Sequence, residues 1–172
     1  MNEVMLNRLI SDVHYLDELY DSFLAKGTIS LQKPVLAEIE GHFKKADHNL
    51  KFITHALDGD FTDWALVGCY YACYHAVLAT ILSKGYSSKN HFATFCILNK
   101  ECYNTDISKE DVSLLSSLLS YDDALFYVES KQKRELASYS SKLLFSTSEV
   151  LLLQKNAISF VSKLHDLVYT QK

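Results

Sequence analysis

Hydrophobic residues along the first 60 positions recur at steps of three and four. Leu6, Leu9, Val13, Leu16, Tyr20 and Phe23 form one series; Leu36, Ile39, Phe43, Ala46, Leu50, Ile53 and Leu57 form a second. Such spacing places each set on one face of an α-helix. Gly27, Gly59 and Gly85 each follow a helical pattern, where a left-handed residue ending the helix is expected. Pro34 suits a first helical turn, with Ser30 as the cap before it. Between Gly59 and Gly85 the pattern changes. Residues 64–82 carry no formal charge, so the stretch from about 60 to 84 reads as a helix apolar on all sides, nearly fully buried at the centre of a bundle. Asn90 caps a shorter helix from about 91 to 100. Ser108 with Asp111 starts another, whose stripe is Val112, Leu115, Leu118 and Leu119, continued by Leu125, Phe126 and Val128. Whether Ser120-Tyr121-Asp122-Asp123 breaks that helix stays open. Ser146 and Glu149 form a capping box for a last helix with Val150, Leu153, Ala157, Phe160 or Val161, Leu164 and Val168 inward. The elements predict an all-α fold, an up-and-down bundle of about six helices with no sheet.

Length adds one constraint. The 172 residues suit a single domain, 1–172, which buries about 70% of its unfolded surface and needs no disulfide or structural metal. Seventeen basic residues against twenty-one acidic ones exclude a generally basic nucleic-acid coat while leaving room for a local patch. Residues 86–172 hold neither glycine nor proline, which excludes a Gly-rich phosphate loop there. Cys69, Cys73, Cys96 and Cys102 lack CxxC spacing and read as buried reduced thiols. The first residues lack a basic region followed by an apolar run, so the expected compartment is the cytoplasm. Residues 64–82 are long enough to span a bilayer. Their Trp64, Tyr70, Tyr71, Tyr74, His75 and Thr80, flanked by Asp60, Asp63 and Lys84, favour a core helix over a membrane partner.

Few residues suggest chemistry. Glu38 and His42, at i and i+4, have metal-ligand spacing, but the second Glu-x-x-His of a di-metal bundle is missing, so no metal is expected. His48 and His55, seven apart, read the same way. His75, inside the apolar helix, reads as a core histidine bonded to a backbone carbonyl or a Tyr hydroxyl; the alternative is a role at a dimer seam or pocket. Lys131, Lys133 and Arg134, with Lys142 beyond, form the best cationic cluster and suit phosphate contacts. The competing reading pairs them with Glu129 and Glu135 on a solvated surface.

The order of several strings then becomes informative. Phe43-Lys44-Lys45-Ala46-Asp47-His48-Asn49-Leu50 precedes Gly59-Asp60-Phe61, then Tyr70-Tyr71-Ala72-Cys73-Tyr74-His75-Ala76, Gly85-Tyr86 and Lys89-Asn90-His91. Arg134-Glu135-Leu136-Ala137-Ser138-Tyr139 and Ser146-Thr147-Ser148-Glu149 follow. This order resembles the HEPN domain over roughly residues 36–170, with 1–28 as an added N-terminal helix. The resemblance implies a helical bundle that usually forms a homodimer, no cofactor, and an RNA- or partner-binding role, often beside a small nucleotidyltransferase in a toxin–antitoxin or defence pair. It also implies that many members are metal-independent ribonucleases using an Arg-x(4–6)-His motif. Arg134 matches that arginine, but the residue five later is Tyr139, and a phenol is a poor base at neutral pH. Binding without efficient catalysis is therefore the leading expectation. An endoribonuclease using Arg134 with Tyr139, or with His75, His91 or His14, is the alternative, and a structural subunit is the third. Arg8 and His14 fit the bare motif spacing but lie in the N-terminal addition.

Overall fold

A computed structural model describes residues 3–127 and 146–170. Lys131, Lys133, Arg134, Tyr139 and Lys142 lie outside the described residues. Among the described residues, seven helices and two short strands follow in chain order: α1 Glu3–Ser11, α2 Val13–Ala25, β1 Ile29–Leu31, α3 Leu36–Asp58, α4 Thr62–Ser83, β2 Tyr86–Ser88, α5 His91–Cys102, α6 Lys109–Tyr127 and α7 Thr147–Thr170.

The expected single N-terminal helix is two. Asp12 leaves helical geometry (φ −118°, ψ 88°), and its carboxylate accepts the Tyr15 N–H to cap α2. The expectation of no sheet is also corrected. β1 pairs antiparallel with β2, Ile29 opposite Ser88 and Leu31 opposite Tyr86. Three-residue strands fall below the length at which alternation can be read from a sequence. Ser30 consequently lies in β1, hydroxyl to hydroxyl with Ser87 at 2.8 Å, and Val35 stands at the start of α3 without a side-chain cap. The ribbon ties the N-terminal segment to the turn between α4 and α5. Gly85 makes that turn at φ 88°, and its carbonyl accepts the Gln32 N–H.

The question left open at Ser120–Asp123 is answered by α6, which runs unbroken through it, and two capping expectations hold. The Asn90 carboxamide accepts the Ala93 N–H at 2.7 Å. Ser146 and Glu149 bond reciprocally, Ser146 N–H to Glu149 Oε2 at 2.8 Å and Glu149 N–H to Ser146 Oγ at 3.3 Å. At the end of α3 the left-handed residue is Asp60 (φ 61°) and not Gly59 (φ −97°). The Phe61 N–H reaches Ala56 O and the Asp60 N–H reaches Leu57 O, which closes a Schellman motif with an aspartate where glycine is usual.

α3 and α4 are an antiparallel hairpin joined through residues 59–61. α4 is central, packed along α3 and α7 with smaller contacts to α5, α6 and β2. The hairpin is tight because Gly68 has no side chain: a Cβ there would lie 2.8 Å from Ile53 Cγ1. Ile53, Leu66, Ile81, Leu118, Phe160 and Leu164 are fully buried around this junction, each contributing about 1.5–3 kcal/mol. α4 has the length and apolarity to cross a membrane, but most of it is buried inside the fold, as befits a core helix. The four cysteines are buried and unpaired.

Candidate functional site

One edge of α4 is not covered. Trp64 is 54% exposed and Tyr71 40%, while Val67, Tyr74, His75 and Leu78 are half-buried. These positions recur at three- and four-residue steps, so they share one face of the helix. The expectation that the whole helix is buried is therefore corrected: it has an open strip without a formal charge. Near the hairpin turn, Phe52, His55 and Ala56 of α3 join Phe61 and Trp64 to line an open groove of about 320 Å³, at the small end of the range of small-ligand sites.

At the other end of the strip, α3 brings His42 against His75. Their Nδ1 atoms are 3.0 Å apart, and the rings lie 5.2 Å centre to centre. Only one of two facing Nδ1 atoms can carry a hydrogen for such a bond to form. Burial pushes the His75 imidazole down to about 4, with the His42 and Lys45 charges adding to the effect. Burial and then Lys45 also lower His42, while Glu38 opposes them. Both rings are neutral at pH 7.

From His75 the aromatic surface continues through Tyr71 and Tyr74 to His91, the first residue of α5. Tyr74 and His91 stack at 4.4 Å and 10°. Buried Tyr70 places its phenol on His91 Nδ1. The tyrosine-bonded histidine expected at position 75 is thus His91, while His75 pairs with a second imidazole. Beneath His91, a crevice of about 20 Å³, room for about one water, is lined by Tyr70, Tyr74, Val77, Thr94, Phe95 and Leu115.

The remaining sequence candidates disperse. Arg8 pairs with Asp12 at 3.6 Å and lies over the Tyr15 ring, whereas His14 reaches Glu18 at 3.3 Å. Each is committed within its own surroundings, so Arg8 and His14 form no joint site. Glu38 is exposed on α3, and no group of three metal-ligating side chains occurs among the described residues. His48 is exposed and lines none of these cavities. His165 packs on Phe43 and Tyr169, away from the strip. His42 is the residue that sequence reasoning missed as a partner. It lies 33 positions from His75, on a face it shares with Glu38 and Lys45, and no local signal in the sequence pairs the two.

Comparison with curated proteins returns no significant match. A family model described as the HEPN domain matches residues 39–156, which takes in most of α3, all of α4, α5 and α6, the start of α7 and therefore the whole strip. With that match extending over well more than half of its length, the chain belongs to the HEPN domain family.

Proposed function

We propose that this HEPN protein binds single-stranded RNA along the open strip of the α3–α4 hairpin, in a cytoplasmic toxin–antitoxin or defence setting. HEPN membership supports a nucleotide- or RNA-related module in general. The observation that carries the finer reading is the exposed aromatic row: Trp64 and Tyr71 on α4, Phe61 just before it, and Phe52 across the groove. Single-stranded nucleic acid binds aromatic platforms because every base has a π-face, each stack contributing about 1–3 kcal/mol. Lys45 stands beside the imidazole pair and supplies positive charge. On sequence grounds, Lys131, Lys133, Arg134 and Lys142 supply further phosphate contacts. Efficient cleavage through the family's arginine–histidine motif is not part of the proposal, because Tyr139 stands where the histidine belongs. The protein acts as a homodimer, for which the exposed Leu151, Leu152 and Ile158 of α7 offer apolar surface, and a small nucleotidyltransferase is its proposed partner.

Fluorescence anisotropy with labelled single-stranded RNA tests this reading. Affinity is expected to fall with salt, at a log–log slope of about −0.7 per neutralised phosphate. Tyr71→Ala is expected to weaken binding about 5- to 150-fold, the equivalent of one lost stack. An absence of binding at low salt, or unchanged affinity in Tyr71→Ala, refutes it and favours a protein occupant for the same surface.

A further inference from the structure

We propose that His42 and His75 form a binding site for one divalent late first-row transition-metal ion, of the zinc, copper and nickel class, which takes the place of the hydrogen the two rings share. The inference goes beyond the RNA-binding reading and does not rest on it.

The spacing of the donors carries the inference. The two Nδ1 atoms are 3.0 Å apart, the separation of neighbouring ligand atoms around such an ion. With metal–nitrogen bonds of about 2.0–2.1 Å, adjacent nitrogens stand about 2.9 Å apart in a square-planar sphere and about 3.3 Å apart in a tetrahedral one. Ring rotations within the side chains, without a shift of either backbone, aim both lone pairs at a shared point. The two residues project from helices packed as a tight hairpin, closed where Gly68 lies against Ile53, so both donors stand on rigid elements. Each metal-bound ring carries its hydrogen on Nε2. One ring of the bonded pair already holds that tautomer, and the other moves its hydrogen from Nδ1 to Nε2 through solvent. Coordination therefore releases no net proton.

The donor set selects the metal. Imidazole nitrogen suits zinc, copper and nickel, whereas magnesium and calcium take oxygen ligands. The di-metal centre excluded on sequence requires a second Glu-x-x-His; a site for one ion does not, and its second imidazole comes from the facing helix. Both histidines are half-buried, which leaves one side of the pair open to water. No third metal-ligating side chain is grouped with them among the described residues, so water fills the remaining positions and the ion stays exchangeable. Glu38 and Lys45 act on the pair from α3, the first favouring a cation and the second opposing it, while Tyr71 and Tyr74 lie beside His75 on α4.

The test is histidine footprinting of the wild-type protein. Protein stripped of metal with EDTA and dialysed is treated with diethyl pyrocarbonate, with and without zinc, and its peptides are mapped by mass spectrometry. Zinc is expected to slow modification of His42 and His75 together and to leave the exposed His48 unaffected, and magnesium is expected to protect neither ring. Protection of only one of the pair, of neither, or by magnesium as well overturns the site. Calorimetric titration with zinc adds the stoichiometry and the variants. Wild-type protein is expected to take one ion at this site, and His42→Gln and His75→Gln are each expected to weaken binding by more than the roughly 10-fold that changing even an outer-shell partner costs. His48→Gln is expected to leave it unchanged. Undiminished affinity in either His42→Gln or His75→Gln places the ion elsewhere and overturns the proposal. The footprint uses wild-type protein, so it decides the matter even if a variant misfolds. Neither measurement contains RNA, so failure of the metal site and failure of the RNA-binding reading are separate results.

Discussion

Two glycines inside neighbouring helices are predicted to respond oppositely to the same substitution. Gly41 lies in α3, and an added Cβ there meets nothing within 4 Å. Gly68 lies in α4, where a Cβ sits 2.8 Å from Ile53 Cγ1 and 3.2 Å from Phe52 Cδ1. Alanine improves helix propensity by about 1 kcal/mol at both sites. At Gly68 that gain meets overpacking. The half-exposed Phe52 ring can swing away, but Ile53 is fully buried and has no space to retreat into. Overpacking of this kind costs about 1–3 kcal/mol. Taking about 2 kcal/mol for the clash, Gly41→Ala stabilises by about 1 kcal/mol and Gly68→Ala destabilises by about 1 kcal/mol. For a chain of this length the gap of about 2 kcal/mol separates the melting temperatures by roughly 4–8 °C. Thermal denaturation followed by circular dichroism reads it directly. A Gly68→Ala protein melting at or above Gly41→Ala shows that the hairpin is looser than described, and with it the contact between His42 and His75.

Asp60→Gly is expected to stabilise by about 0.5–1 kcal/mol in urea titration, since Asp60 holds a left-handed conformation that glycine adopts without a Cβ penalty; a destabilised variant contradicts the assignment of the motif. Burial pushes the Cys69 and Cys96 thiols up to about 12 and Cys102 to about 11, with Cys73 raised as well. Iodoacetamide at pH 8 is therefore expected to leave native protein unlabelled and to modify all four cysteines in urea, and rapid native labelling refutes that burial. Light scattering at micromolar concentration is expected to give twice the mass of one chain; a monomer contradicts the proposed dimer.

Helices were legible wherever a polar face gave the apolar one contrast. α3 and α7 emerge from three-four periodicity, and Asn90, Ser108 and Ser146 mark helix starts because their side chains answer orphaned N–H groups in the first turn. α4 was legible as a core helix, yet its uniform apolarity hid which edge stays open; Trp64 and Tyr71 look like core residues by type. The β1–β2 ribbon is too short to leave a pattern. Asp12 interrupts the first series without disturbing its spacing, so the break between α1 and α2 was invisible. The site depended on a cross-helix contact. Nothing local to His42 or His75 specifies the other; the hairpin register opposite Gly68 does.

Trp64 provides the most direct measurement of the central claim, because it is the sole tryptophan and stands 54% exposed on the strip. Its fluorescence is a report from that one surface, requiring no label and no substitution. Titration with single-stranded polyuridylate at low salt is predicted to quench the emission saturably as bases stack on the indole, with the midpoint matching that of anisotropy and moving to higher RNA concentration as salt is added. Emission that stays unchanged through saturating RNA contradicts the account: either RNA does not bind, or it binds on a surface other than the α3–α4 strip.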